Sequence, residues 1–118
     1  MNQYLLLLHE TPAAYADIGP AQMGAIIERY AAWAQGLGEK GLLGPSHKLA
    51  ESGGVHLRRQ GGSVIATDGP YAEAKDLVGG FFTINATSLD EAQRIAGSCP
   101  HLDTGGNWIE IREVDARA

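Results

Sequence analysis

Asp68, Glu73, Lys75 and Asp76 fall within nine residues, Asp68-Gly69-Pro70-Tyr71-Ala72-Glu73-Ala74-Lys75-Asp76, with Tyr71 the aromatic among them. Carboxylates take up and release protons, and an ammonium group anchors anions. The stretch is therefore a candidate acid–base and anchoring set. For Asp68-Gly69-Pro70 the plain alternative is turn chemistry: Asp accepts backbone N–H bonds, Gly takes an unusual φ, and Pro fixes the next one. Glu73 and Lys75 stand two apart. Extended, they project to one side; on a helix they do not face each other. Solvated charge is the plain reading of this pair. The functional reading is a bound anionic or hydrogen-bonding ligand held by Tyr71 and Lys75, with Asp68 and Glu73 as acid–base groups.

Four histidines add to the inventory. His9 closes an apolar run, and the ordinary pKa of imidazole lies near neutrality, so it is a candidate general base; a hydrogen-bonded structural histidine is the alternative. His101 follows Pro100 in a loop and is a candidate ligand contact. His47 and His56 sit on separate segments, and no His-x-x-x-His spacing occurs, so no metal site is expected. No Gly-rich phosphate loop with P-loop or dinucleotide spacing follows a strand, and no cofactor is expected. Trp33, off the central line of its helix, and Arg112, on the last strand, complete the candidate ligand contacts. Cys99 reads as buried and inert.

The surrounding chain limits the choices. Its 118 residues are one domain's worth, and a single domain over 1–118 is expected. A domain of this size buries roughly 60–70% of its unfolded surface, enough for a core without staples. The formal net charge of -5 argues against nucleic-acid binding, which needs a basic footprint, and Arg58-Arg59 is the one basic cluster. A single cysteine rules out an internal disulfide framework and fits a reducing, cytoplasmic setting. Met1-Asn2-Gln3-Tyr4-Leu5-Leu6-Leu7-Leu8-His9-Glu10 superficially resembles a signal peptide but lacks a basic start, has an apolar run of only five residues and meets an acid at once. It reads as a buried first strand, and no stretch is long enough to span a membrane.

Strand one over 3–9 points Tyr4, Leu6 and Leu8 one way and Leu5, Leu7 and His9 the other, both apolar enough for a central strand covered on both faces. Pro20 suits a helix start. Met23, Ile26, Ile27, Tyr30, Ala34 and Leu37 make one stripe, and Gly36, Gly38 and Gly41 are expected to fray and end that helix. A short strand over 42–49 is irregular at Pro45. Val55–Arg59 and Ser63–Thr67 flank Gln60-Gly61-Gly62, a hairpin signal. Val78–Ala86 is a strand with Phe82 and Ile84 on one face and Phe81 and Thr83 on the other. Ser88 and Glu91 form a capping box for a helix carrying Leu89, Ala92, Ile95, Ala96 and Cys99 inward. Asn107–Val114 is the last strand, with Ile109 and Ile111 opposite Trp108, Glu110 and Arg112.

The order β-α-β, hairpin, β-α-β predicts an α+β fold, a ferredoxin-like sandwich with an inserted hairpin and both helices on one sheet face. The other face would carry Leu5, Leu7, Phe81 and Trp108 with His9, Thr83, Glu110 and Arg112. So much apolar surface predicts a homodimer closing sheet on sheet.

Asp68–Lys75 resembles the signature of the DGPF family, D-G-P-F-A-E-T-K, within the wider YCII-related group. Gly79-Gly80-Phe81-Phe82, Leu89-Asp90-Glu91-Ala92, Cys99-Pro100 and Gly105-Gly106 agree with it. The resemblance implies a ferredoxin-like fold dimerising into an α/β-barrel-like assembly, mostly in bacteria, without an assigned biochemical function and in some cases linked to extracytoplasmic-function sigma factors. A His/Asp pair has been proposed for the wider group. Here its histidine is absent from Pro20-Ala21-Gln22-Met23, and Cys99 replaces its acid. The resulting expectation is a small dimeric module binding an unknown small molecule. The alternative is an acid–base enzyme of isomerase, lyase or hydrolase type.

Overall fold

A computed structural model describes residues 1–50, 54–68 and 76–117. Its strands are β1 (Asn2–Glu10), β2 (Leu43–Lys48), β3 (Val55–Gln60), β4 (Ser63–Asp68), β5 (Leu77–Ala86) and β6 (Trp108–Glu113); its α-helices are α1 (Pro20–Glu39) and α2 (Leu89–Gly97). Short 3-10 turns occupy Pro12–Tyr15 and Pro100–Asp103. The fold is α+β. Four strands form an antiparallel sheet in the order β2-β5-β1-β6, and β3 and β4 pair separately.

Alternation along β1 decides which face is buried. Tyr4, Leu6 and Leu8 are buried and, with Ile84 and Ala86 of β5, form the inner face. Leu37 of α1 and Ala92 and Ala96 of α2 pack on it, joined by Phe82, Ile109 and Ile111. Both helices thus cover one face, as the periodicities predict. Leu5 and Leu7 on the other face are only half-buried. The expectation of cover on both sides of β1 is not met by the described residues, because both helices lie on the inner side.

Several local expectations are corrected. Helix α1 does not fray at Gly36 or Gly38 but continues to Glu39. Its end is then closed by the Leu42 N–H donating back to the Leu37 carbonyl (2.9 Å) and Gly41 N–H to Gly38 (3.1 Å). Ile27 and Leu89, placed on apolar stripes by spacing, are 55% and 49% exposed. At α2, Ser88 accepts from the Glu91 N–H (3.1 Å) as expected. The Glu91 carboxylate reaches past the cap to the Thr87 N–H and hydroxyl (3.2 and 2.9 Å) instead of to Ser88.

The β3–β4 hairpin follows its turn signal. Gly61 and Gly62 adopt φ of 56° and 86°, the pair of positive values that a two-residue turn between twisted strands requires. Every described side chain of the hairpin is exposed, including Val55 and Leu57, both at 65%. Among the described residues no helix is long and apolar enough to cross a membrane.

Candidate functional site

The polar groups converge where β1 ends. His9 lies directly across from Trp108 of β6, and their rings stack at 3.7 Å with planes 6° apart. Two residues along β6, on the same face, Glu110 Oε1 lies 3.0 Å from His9 Nε2. Arg112 Nη1 then donates to Glu110 Oε2 (3.4 Å). The His9 contact, with Arg112 adding to it, holds the Glu110 carboxyl below its ordinary pKa. An ionised carboxylate only accepts, so His9 Nε2 carries the proton. His9 Nδ1 has no partner among the described residues.

Behind this face lies a buried polar network. His101 is 1% exposed. Its Nε2 lies 2.7 Å from the His9 carbonyl and must donate to it. In the neutral ring Nδ1 is then an acceptor, and the Tyr30 hydroxyl donates to it at 2.7 Å. Burial pushes the His101 pKa down, against the backbone of His9, which favours the proton. Burial likewise pushes the Tyr30 phenol well above its ordinary value, with Tyr15 beside it raising it further. Asn107 Nδ2 donates to the Tyr15 hydroxyl (2.6 Å) and to the His101 carbonyl (3.2 Å). Burial raises the Cys99 thiol to about 11, so it is no thiolate nucleophile at neutral pH.

The bulge beside His9 has its own cause. The β1–β5 register slips between Leu8 and His9, with Gly80 facing Leu8 and Val78 facing His9. Gly79 is the extra residue, and a Cβ there would run into the Glu10 carboxylate, so a larger residue displaces that side chain. One residue further, Thr11 Oγ1 donates to Asp76 Oδ1 at 2.8 Å. This bond ties the described end of the charged 68–76 stretch to the strand end bearing His9.

The candidates from sequence distribute as follows. His9 and Arg112 share the outer face and are bridged by Glu110. His101 is not the accessible loop histidine expected but a buried one whose two ring nitrogens are engaged by the protein. Trp33, read as off the central line of its helix and as a ligand contact, packs partly buried against the core. Its ring meets Phe82 edge-on (5.0 Å, 76°) and its Nε1–H donates to Ser98 Oγ (2.9 Å), joining α1 to the end of α2. Asp68 ends β4 opposite Val55. Tyr71, Glu73 and Lys75 lie outside the described residues.

Glu110, Tyr15 and Asn107 were missed as site residues. Parity had placed Glu110 beside His9 and Trp108, and two antiparallel strands of alternating charge and aromatic residues were the signal available for it. Tyr15 and Asn107 carry no comparable signal, because their meeting with His101 depends on loop packing. No group of three or more His, Cys, Asp or Glu suited to a metal ion occurs among the described residues. Two shallow surface depressions, one along Met1–Gln3 and Glu113–Arg117 and one between Leu37, Lys40 and Arg94, lie away from His9.

Residues 2–115 match the family profile described as the YCII-related domain. Over 77 residues, 64% of the chain, the sequence is 36% identical to an uncharacterized protein of Rhizobium meliloti (strain 1021), and the match spans 62% of that relative's length.

Proposed function

Because the chain belongs to the YCII-related family, similar to an uncharacterized bacterial protein, we propose that it is a small dimeric ligand-binding or regulatory module of the DGPF type. In this reading the sheet has the ferredoxin-like arrangement, and two copies close sheet on sheet over Leu5, Leu7, Phe81 and Trp108 into a barrel-like assembly in the cytoplasm. The ligand, a small molecule with an anionic or hydrogen-bonding group, sits against His9, with Tyr71 and Lys75 of the charged stretch as further contacts. One observation carries this: the His9–Trp108–Glu110–Arg112 cluster lies at the strand end to which Thr11 ties Asp76. A charge-paired aromatic surface of this kind recognises small polar molecules by stacking and directed hydrogen bonds. A thermal-shift panel of small organic acids, amides and phosphates tests it. At least one class raises the Tm of the wild type and fails to do so for His9→Gln; no stabilisation by any class removes the reading. Light scattering after size exclusion gives twice the chain mass, and a monomer at micromolar concentration removes the dimer.

A second reading, acid–base catalysis on a small organic molecule, has its own support. The Glu110 carboxylate orients His9 through Nε2 and leaves Nδ1 as the free basic atom. For any compound that stabilises the protein, NMR in D₂O then shows deuterium entering a carbon-bound position with the wild type and not with His9→Gln. Equal or no exchange with both leaves binding without chemistry.

A further inference from the structure

His101 reaches no solvent, yet it holds the backbone of the strand end that carries the outer cluster. Its Nε2–H bond to the His9 carbonyl falls at the step where the β1–β5 register slips. The bulge leaves Gly79 of β5 without a partner on β1, while His9 keeps Val78 and Trp108 across from it, and the His101 bond adds a further anchor at this irregular step. The backbone of Trp108, whose ring stacks on His9, also faces the His101 ring. The ring is braced from the opposite side. Tyr30 of α1 donates to Nδ1, and Asn107, the residue before Trp108, donates to the His101 carbonyl. One buried imidazole thus links the helix layer to the ends of both strands that bear the stacked pair.

We propose that His101 is a positioning residue for the His9 site, fixing through its Nε2–H bond to the His9 carbonyl the backbone that keeps the His9 ring on Trp108 and within reach of Glu110. This rests on the reading of His9 as the ligand-contacting group. His101 touches no ligand itself. Its role is to fix the His9 backbone from the inner side of the sheet, so that the outer cluster is preformed and its ordering does not weaken binding.

The test needs no ligand. In wild-type protein, NMR detects a through-hydrogen-bond coupling between His101 Nε2 and the His9 carbonyl carbon, and the ring protons of His9 are shifted upfield by the stacked indole. Absence of the coupling overturns the proposal. In His101→Phe, which keeps a ring and loses the donor, the His9 ring protons move to unstacked values while the cross-strand contacts of Leu5 with Thr83 and Leu7 with Phe81 persist. A folded His101→Phe with unchanged His9 shifts overturns it as well. His101→Gln keeps an N–H donor and recovers part of the upfield shift; no recovery counts against the proposal. Should His101→Phe not fold, the wild-type coupling and the glutamine variant decide. A silent ligand panel removes the ligand reading, whereas an unmoved His9 ring removes this one, so the two failures are distinguishable.

Discussion

Two β structures in this chain were built from equally clear local signals and ended in opposite environments. The β3–β4 hairpin has alternating residues and a Gly61-Gly62 turn, and its ladder runs without interruption from Gln60–Ser63 to Val55–Asp68. Yet Val55, Leu57 and Val64 remain more than half exposed. The end of the four-stranded sheet has the poorer ladder, with a register slip at Leu8/His9, and carries the polar cluster and the buried network behind it. A regular ladder therefore says little about whether a strand pair is integrated. Two strands alone are marginal in water, and stability comes from what covers them. At the sheet end, Tyr30, His101 and Asn107 supply cover and added side-chain hydrogen bonds. Within the described chain, the hairpin has neither.

The contrast is broken or sharpened most strongly by truncating one apolar residue in each region. Leu6 is fully buried in the core, so Leu6→Ala is expected to lower stability by about 2–5 kcal/mol in denaturant unfolding. Leu57→Ala is expected to stay within about 0.5 kcal/mol, as for an exposed position. A Leu57→Ala loss matching that of Leu6→Ala would mean that the hairpin face is covered in solution.

Next in size is Tyr30→Phe. It removes the donor to His101 Nδ1 and leaves that buried acceptor only the long contact to Asn107 Nδ2 (3.5 Å), a loss of about 1–3 kcal/mol by the same measurement. A neutral outcome would show that the network is not integral to the sheet end.

The pH dependence follows from His101. Its folded pKa lies below the ordinary 6.5, so the unfolded chain takes up the proton first as pH falls. The stability of the neutral buried ring is fully present above about 6.5 and is lost as pH drops from there toward the lowered folded value. Unfolding midpoints between pH 7.5 and 5.5 are expected to fall for the wild type and to fall less for His101→Gln. Equal slopes would place the proton uptake elsewhere. Glu110 acts in the same direction at lower pH: its carboxyl is depressed, so its contribution is present above the ordinary 4.5 and is lost as pH falls through its folded value.

The smallest effect on the whole is expected at the hairpin turn. Gly61→Val and Gly62→Val place branched side chains at positive φ and should erase the cross-strand nuclear Overhauser contacts between β3 and β4. The global unfolding free energy should change by no more than about 0.5 kcal/mol. A large global loss would show that hairpin and sheet unfold together.

Much of the fold was legible in the sequence, because alternation and helical spacing report burial directly. They placed Tyr4, Leu6 and Leu8 inward, put Ile109 and Ile111 with them, and located both helices and the hairpin. They also put His9, Trp108, Glu110 and Arg112 on one face, since parity is a local property. Spacing alone put Ile27 and Leu89 on apolar stripes, yet both are exposed, and Trp33, read as off the central line, packs on Phe82. The charged stretch from Asp68 was conspicuous by composition, and its link to His9 became visible only through Thr11 and Asp76.

By itself, the sequence determined the elements, their inner and outer faces and the family, because each rests on short-range periodicity or on the order of residues. Tertiary structure alone decided that Glu110 is the partner of His9, that His101 is buried with both ring nitrogens engaged, and that Tyr15, Tyr30 and Asn107 meet around it. Those contacts join residues 71 to 101 positions apart in the chain. No local pattern encodes such meetings; the packing of α1 and the turn after α2 against one end of the sheet brings the groups into hydrogen-bond range.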